Sequence, residues 1–235
     1  MSFEKRKKEH KESMTDSKKE LVSLKNVTIS NTKHFVQESA EQFLRINDFT
    51  VSEGESVFLS GKASSGKTLL LNILRCKPLI HDEQVRYQKI KKNSRYSSVL
   101  RIGFQPLIFS GKTVLENILE PLKSPGVCTK NKIIEHLNTF HLYPKRDLIA
   151  KTLARNELLA LQLIRAVILL PPVLLVDDYD LLVKVLDYEK VRLLLAAVLK
   201  NGSAVIGTGI EVCSGFDRYF KISENYVVSD GQVRD

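Results

Sequence analysis

No apolar run in this sequence is long enough to cross a bilayer. The longest, AVILLPPVLLV at 166–176, covers 11 residues and carries Pro171 and Pro172; a spanning helix needs about 20. The first stretch, MSFEKRKKEHKESMTDSKKE, lacks the apolar segment of a secretory signal. Any role at a membrane is therefore expected to borrow its spans from another chain. Cysteine is scarce: Cys76, Cys128 and Cys213 lie far apart, without a C-x-x-C pair or a His-Cys cluster. They read as scattered thiols in a reducing cytosol. The five histidines form no H-E-x-x-H pattern, so no protein-held transition metal is expected. No internal repeat and no Ser/Gly-rich linker divides the chain.

What is present fits an ordinary globular protein. The 235 residues are 43% hydrophobic and 27% charged, enough to bury a core without disulfides or metal. The net charge is +9, and most of it is local. Residues 1–20 hold seven basic and five acidic residues with few apolar ones, and read as a disordered charged tail. Residues 21–235 form the folded domain. Within it, residues 75–101 hold eight basic and two acidic residues and two tyrosines. That composition suits nucleic acid or anionic lipid, and equally a solvated face of loops and strands.

Periodicity places the elements. LVSLKNVTIS (21–30) and FLRINDFTV (43–51) alternate apolar and polar positions and predict strands. Val57 to Leu59 is a short apolar strand, and TLLLNILRC (68–76) predicts a helix with a wide apolar face. A strand follows at 98–105, then helices at 113–122, 130–142 and 156–170, the last stopped by Pro171-Pro172. VLLVDD (173–178) is a buried strand ending in two acids. A helix at 186–202 closes on Gly202, SAVIGTG (203–209) is another buried strand, and two or three strands end the chain. Apolar strands alternating with helices imply an α/β fold, a parallel sheet covered on both faces. The alternating strands at the front imply an antiparallel layer added to it.

The stretch between the strand at 57–59 and the helix at 68–76 is GKASSGKT, residues 61–68. It fits G-x-x-x-x-G-K-[ST] in a strand-loop-helix context. Glycines at 61 and 66 allow backbone angles closed to other residues. The amides of Gly61, Ala63, Ser64, Ser65 and Gly66 can then converge on phosphate oxygens. Lys67 would set its ammonium on the outer phosphates, and the Thr68 hydroxyl would ligate Mg²⁺. Asp177, at the carboxyl end of a buried strand, supplies the acidic element that holds the metal.

With these motifs the chain resembles the nucleotide-binding domain of ATP-binding cassette (ABC) transporters over roughly residues 21–235. GKASSGKT matches that family's phosphate loop. IGFQPLIFSGKTVLENI (102–118) looks like its glutamine-loop region, and LQLIRAVILLPPVLLVDD (161–178) like the helix and strand after its signature sequence. TVLENILEPL is similar to the branch that includes cell-division and lipoprotein-release or lipid-trafficking ATPases. The resemblance implies a P-loop NTPase core with an antiparallel β-subdomain and a helical subdomain. It implies ATP and Mg²⁺ as cofactors and Gln105 as the glutamine that reaches Mg²⁺ and the attacking water. It also implies an aromatic residue stacked on adenine, with Phe35 or His34 as candidates.

Several positions depart from that pattern. The family's signature L-S-G-G-Q is LARNE here, Leu153 to Glu157. Ala154 lacks the serine hydroxyl, Arg155 and Asn156 replace both glycines, and Glu157 adds negative charge where a partner's ATP would sit. Arg155 could pair with phosphate as an arginine finger; a lost contact is the other reading. The general-base glutamate is Asp178, one methylene shorter, a shortfall of about 1 Å that can cost about 10²-fold in rate. The switch histidine falls at Gly209 and the aspartate of the interface loop at Lys184. The expectation is ATP binding with feeble or absent hydrolysis at a self-paired site. Two functions are open. One is a cytoplasmic ATP-binding subunit, peripheral on a membrane, working as a homo- or heterodimer docked to a separate transmembrane subunit through the groove beside Gln105. The other is a non-hydrolysing ATP-dependent scaffold or regulator, including a nucleic-acid-associated one.

Overall fold

The β-branched and aromatic residues of the strands alternate between two faces, and each face finds its own set of helices. The computed structural model describes residues 18–30, 43–75, 85–86, 99–103, 107–122, 130–211, 213–223 and 227–231. Its strands are β1 (Glu20–Ser30), β2 (Phe43–Ser52), β3 (Ser56–Ser60), β4 (Val85–Arg86), β5 (Val99–Ile102), β6 (Val173–Val176), β7 (Ala204–Gly209), β8 (Arg218–Ile222) and β9 (Val227–Gly231). Its α-helices are α1 (Lys67–Arg75), α2 (Val114–Leu119), α3 (Lys130–Thr139), α4 (Arg155–Leu169), α5 (Tyr179–Leu186) and α6 (Tyr188–Lys200).

All nine strands join one sheet in the order β4-β1-β2-β9-β8-β3-β7-β6-β5. The half from β8 to β5 is parallel throughout. At the other end β1 pairs antiparallel with β2 and with β4, and β8 pairs antiparallel with β9. The expected antiparallel layer is thus a continuation of the same hydrogen-bonded sheet, joined to it where β2 pairs parallel with β9.

The period of two assigns the core. On β3, Phe58 packs with the layer of α4, α5 and α6, while Val57 and Leu59 pack with α1 and the antiparallel arm. On β6, Leu174 and Val176 take the first side, Val173 and Leu175 the second. Each fully buried side chain of this kind contributes roughly 1.5–3 kcal/mol. The polar ends of the parallel strands, where side chains leave the sheet, are left to the loops, and there the site assembles.

One feature differs from the sequence pattern. A separate helix, α5, begins directly after the two acids of β6, where only the helix at 186–202 was expected. Asp187, at φ 84°, breaks the two helices apart, and its carboxylate accepts from the amides of Glu189 at 3.0 Å and Lys190 at 3.3 Å. That side-chain cap starts α6 afresh. None of the described helices is long and apolar enough to cross a membrane. The charged tail up to residue 17, most of the basic segment 75–101 and the last four residues lie outside the described residues.

Candidate nucleotide site

β3 is buried along its whole length, and it delivers the chain into the loop at Gly61. The Gly61 amide donates to the Gly209 carbonyl at 3.2 Å, tying the loop to the end of β7. A Cβ at 61 would stand 2.6 Å from Ser65 Oγ, so any larger residue would have to push that hydroxyl aside. Ser64 at φ 61° and Gly66 at φ 101° then reverse the chain. Such alternation turns successive amides toward one side. α1 starts at Lys67, with the Leu70 amide donating to the Gly66 carbonyl at 2.9 Å. The helix N-terminus therefore faces the same space and favours negative charge there.

Residues 63–69 line a cleft of about 400 Å³, closed by Leu44, Asp178 and Ile210. Lys67 is buried, and its Nζ donates to the carbonyls of Gly61 at 2.5 Å and Lys62 at 2.8 Å. Burial lowers its pKa, and the carboxylates of Asp178, Asp177 and Asp180 oppose that shift. Ser65 Oγ is buried without a hydrogen-bond partner.

Asp177 follows β6, its amide anchored on the Ile102 carbonyl at 2.9 Å. Its Oδ2 lies 3.5 Å from Thr68 Oγ1, and its Oδ1 accepts from Thr208 Oγ1 at 3.0 Å. The Thr208 hydroxyl in turn accepts from the Asp178 amide at 3.2 Å. Arg101, from β5, donates to Asp177 Oδ2 and reaches Asn72 Oδ1 at 2.7 Å on α1. The sequence reading missed both Thr208 and Arg101. Their signals were faint: a threonine between two glycines, and one charged residue inside an apolar strand.

The structure brings Gly61, Ala63, Ser64, Ser65, Gly66, Lys67 and Thr68 together with Asp177 and Asp178. Gln105, Phe35 and His34 lie outside the described residues. The ends of the gap around Gln105 are fixed: the Gln162 side chain bonds both the amide and the carbonyl of Gly103, at 3.4 and 3.1 Å. Beyond it the Arg165 guanidinium donates to the Leu107 carbonyl, and the buried Asn117 bonds Phe109 through both its backbone groups.

Residues 44–179 match the family described as ABC transporter. The chain belongs to the ABC transporter family. Within that family its likeness is to the ATP-binding domain. It is 29% identical over 147 residues to the methionine import ATP-binding protein MetN of Chlamydia pneumoniae, a match covering 55% of this chain and 42% of that protein. The chain thus spans less than half the length of that relative. Among solved structures it resembles the dimeric bacterial ABC transporter cassette MJ0796, with TM-score 0.67, 22% identity and 91% and 99% of the two chains covered. It also resembles the same cassette in a post-hydrolysis state bound to ADP and Pi, with TM-score 0.65, 20% identity and the same coverage. Those two likenesses show the ABC ATPase fold.

Within this ABC domain the divergent positions have local causes. At Gly209 a Cβ would meet Phe58 Cζ at 2.7 Å and Asp180 Oδ1 at 3.2 Å, so the backbone has no room for a histidine. Lys184 is an exposed residue of α5. Glu157, read as negative charge added to the signature stretch, is paired within its own chain. Its carboxylate meets Lys145 Nζ at 2.5 Å and accepts from the Ala154 amide at 3.0 Å. The Lys145 bond, first, and the Ala154 amide hold its pKa below the usual carboxylate range.

Glu157 therefore forms half of a capping box on α4, and Ala154 has no oxygen for the other half. Ala154→Ser supplies it. We expect a gain of about 0.5–2 kcal/mol in unfolding free energy by denaturant titration.

Asp178 sits in the left-handed region at φ 53°. Burial raises its carboxyl pKa, and Asp177 and Asp180 raise it further against Lys67 and Arg101. The folded state thus holds this proton more tightly than the unfolded chain. Stability falls as pH rises from the ordinary carboxylate value, about 4, through the raised one. Asn tolerates the same backbone. Asp178→Asn is expected to melt higher than the parent at pH 7 and to converge with it below about pH 4. Equal melting temperatures at pH 7 would contradict this.

Proposed function

We propose that this chain is an ATP-binding subunit of a transporter-type complex. It cradles a triphosphate on residues 61–68, closes with a second ATP-binding domain, and so moves a separate membrane protein. Its own turnover is feeble or absent. The observation that carries this reading is the uneven state of the site. The loop amides, the α1 N-terminus and Lys67 converge on one cleft, while position 209 cannot carry a histidine and Asp178 is short.

The residues present fit the cofactors that the family uses. An unpartnered Ser65 hydroxyl, two positive-φ residues and a buried ammonium suit a polyphosphate tail. Thr68 Oγ1 and Asp177 Oδ2, close to one another, are oxygen donors of the kind Mg²⁺ takes, although that Oδ2 already accepts from Arg101. Bound there, Mg²⁺ would neutralise charge on the outer phosphates. The chain's own contribution is to bind and orient the tail: Lys67 leaves the loop carbonyls for phosphate oxygens, and Asp178 is left to hold a water with a carboxylate about 1 Å too short. Loss of several such contacts, at roughly 2–4 kcal/mol each though seldom additive, slows hydrolysis by powers of ten.

Methionine import by MetN belongs to that protein; the cargo of this chain follows from its membrane partner. The second reading, a non-hydrolysing scaffold or regulator that holds ATP without a membrane partner, is favoured by the crowding at Gly209 and the short carboxylate at Asp178, which leave the water-activating side of the site incomplete. The deciding experiment measures ATP binding and phosphate release on one preparation, alone and with candidate membrane subunits. Binding without release, with release appearing on addition of a membrane subunit, supports the first reading. Brisk release by the isolated chain overturns the weak-hydrolysis claim.

A further inference from the structure

Arg101 stands out because its place in the sheet gives no structural need for a charge. β5 is the edge strand, and Arg101 pairs in register with Leu175 of the buried β6. A neutral residue would satisfy that ladder equally well. Instead the side chain crosses to the carboxyl ends of the strands, where its two terminal nitrogens bond Asp177 Oδ2 and Asn72 Oδ1. The ion pair is largely enclosed, with side chains 15% and 8% exposed. Salt screens such a pair far less than a surface one.

The carboxylate of Asp177 is thereby fully engaged. Thr208 holds Oδ1, and Arg101 holds the Oδ2 that faces Thr68. That Oδ2 is the oxygen a divalent cation between Thr68 and Asp177 would need. A guanidinium stays charged at any physiological pH. A metal must therefore displace it or sit beside a fixed positive charge. Both cost binding free energy.

We infer that Arg101 is the resident cation of this nucleotide site: by occupying Asp177 it lets the site take a polyphosphate that carries no divalent metal. The inference rests on the ATP-binding reading above. Lys67 and the α1 N-terminus face the tail directly, and Arg101 acts through Asp177 as a positioning residue. It removes the bare carboxylate that would otherwise repel phosphate when no Mg²⁺ is present. The site then selects free nucleotide nearly as well as its Mg²⁺ complex.

The test is an ATP titration of the full chain in excess Mg²⁺ and again in EDTA. The ratio of the two Kd values is the readout, and it cancels any general loss of affinity in a variant. The parent is expected to show a ratio below about threefold. Arg101→Gln, which leaves Asp177 bare, is expected to need Mg²⁺ by about tenfold or more. Arg101→Lys, which keeps the charge, is expected to stay near the parent. Mn²⁺ bound in the presence of ATP, counted by electron paramagnetic resonance, should rise in Arg101→Gln.

A parent that already depends on Mg²⁺ by tenfold or more overturns the inference, whether or not Arg101→Gln folds. So does an Arg101→Gln variant with the parent's ratio and the parent's Mn²⁺ uptake. A parent that binds ATP in neither buffer overturns instead the ATP-binding reading on which the inference rests.

Discussion

Lys67→Ala is expected to lower ATP affinity by about two powers of ten, read by equilibrium titration at fixed salt. The size follows from the charges around the cleft. Asp177, Asp178 and Asp180 all act on Lys67 electrostatically, and Asp177 already has Arg101. Without the Lys67 ammonium the Asp178 carboxylate in the cleft wall loses an opposing charge and faces the polyphosphate. The fold itself should survive. The variant loses two hydrogen bonds to the carbonyls of Gly61 and Lys62, about 0.5–1.5 kcal/mol each. A melting curve separates that loss from the binding defect. An affinity within about threefold of the parent would mean that the phosphate tail does not meet Lys67.

The second large effect is on stability. Phe58→Ala is expected to cost about 3–5 kcal/mol in a denaturant titration, through a shifted midpoint at unchanged slope. Phe58 is fully buried in β3 and packs against Phe216 at 5.0 Å, Tyr179 at 6.2 Å and Tyr219 at 6.4 Å between ring centroids. The same ring fills the space that a side chain at 209 would need, while at 207 Phe216 comes nearer than Phe58. Gly209→Ala should therefore destabilise the parent by about 1–3 kcal/mol and the Phe58→Ala protein by clearly less. Additive costs in that double-mutant cycle would show that Phe58 does not exclude the side chain. Position 209, where the family resemblance implies a histidine, is thus tied to the core: the Phe58 ring on the neighbouring β3 takes the space a side chain there would need.

The phosphate loop was legible in the sequence because every part of it is local. Two glycines, a lysine and a threonine lie within eight residues, and their strand and helix follow from periodicity. Asp177 was legible for a similar reason: a run of four apolar residues ending in acid predicts where a carboxylate leaves a buried strand. Arg101 and Thr208 were not, because their roles exist only once β5, β6 and β7 lie side by side. The partner of Glu157 was hidden for a similar reason. The charge of Glu157 was counted, but its partner Lys145 lies in a separate turn of 3₁₀-helix, Tyr143–Lys145. The helix α5 was hidden because its eight residues run straight into α6, and only the unusual backbone at Asp187 divides them. The order of the sheet, with its antiparallel arm hydrogen-bonded to the parallel half, likewise follows from pairing that no single segment encodes.

The most direct test of the central claim is a crystal structure of the chain soaked with ATP, with and without Mg²⁺. The expected result places the phosphate oxygens about 3 Å from the amides of residues 63–67, with Lys67 Nζ moved off the Gly61 and Lys62 carbonyls onto the tail. A loop left vacant at saturating nucleotide, with Lys67 still on those carbonyls, would contradict it.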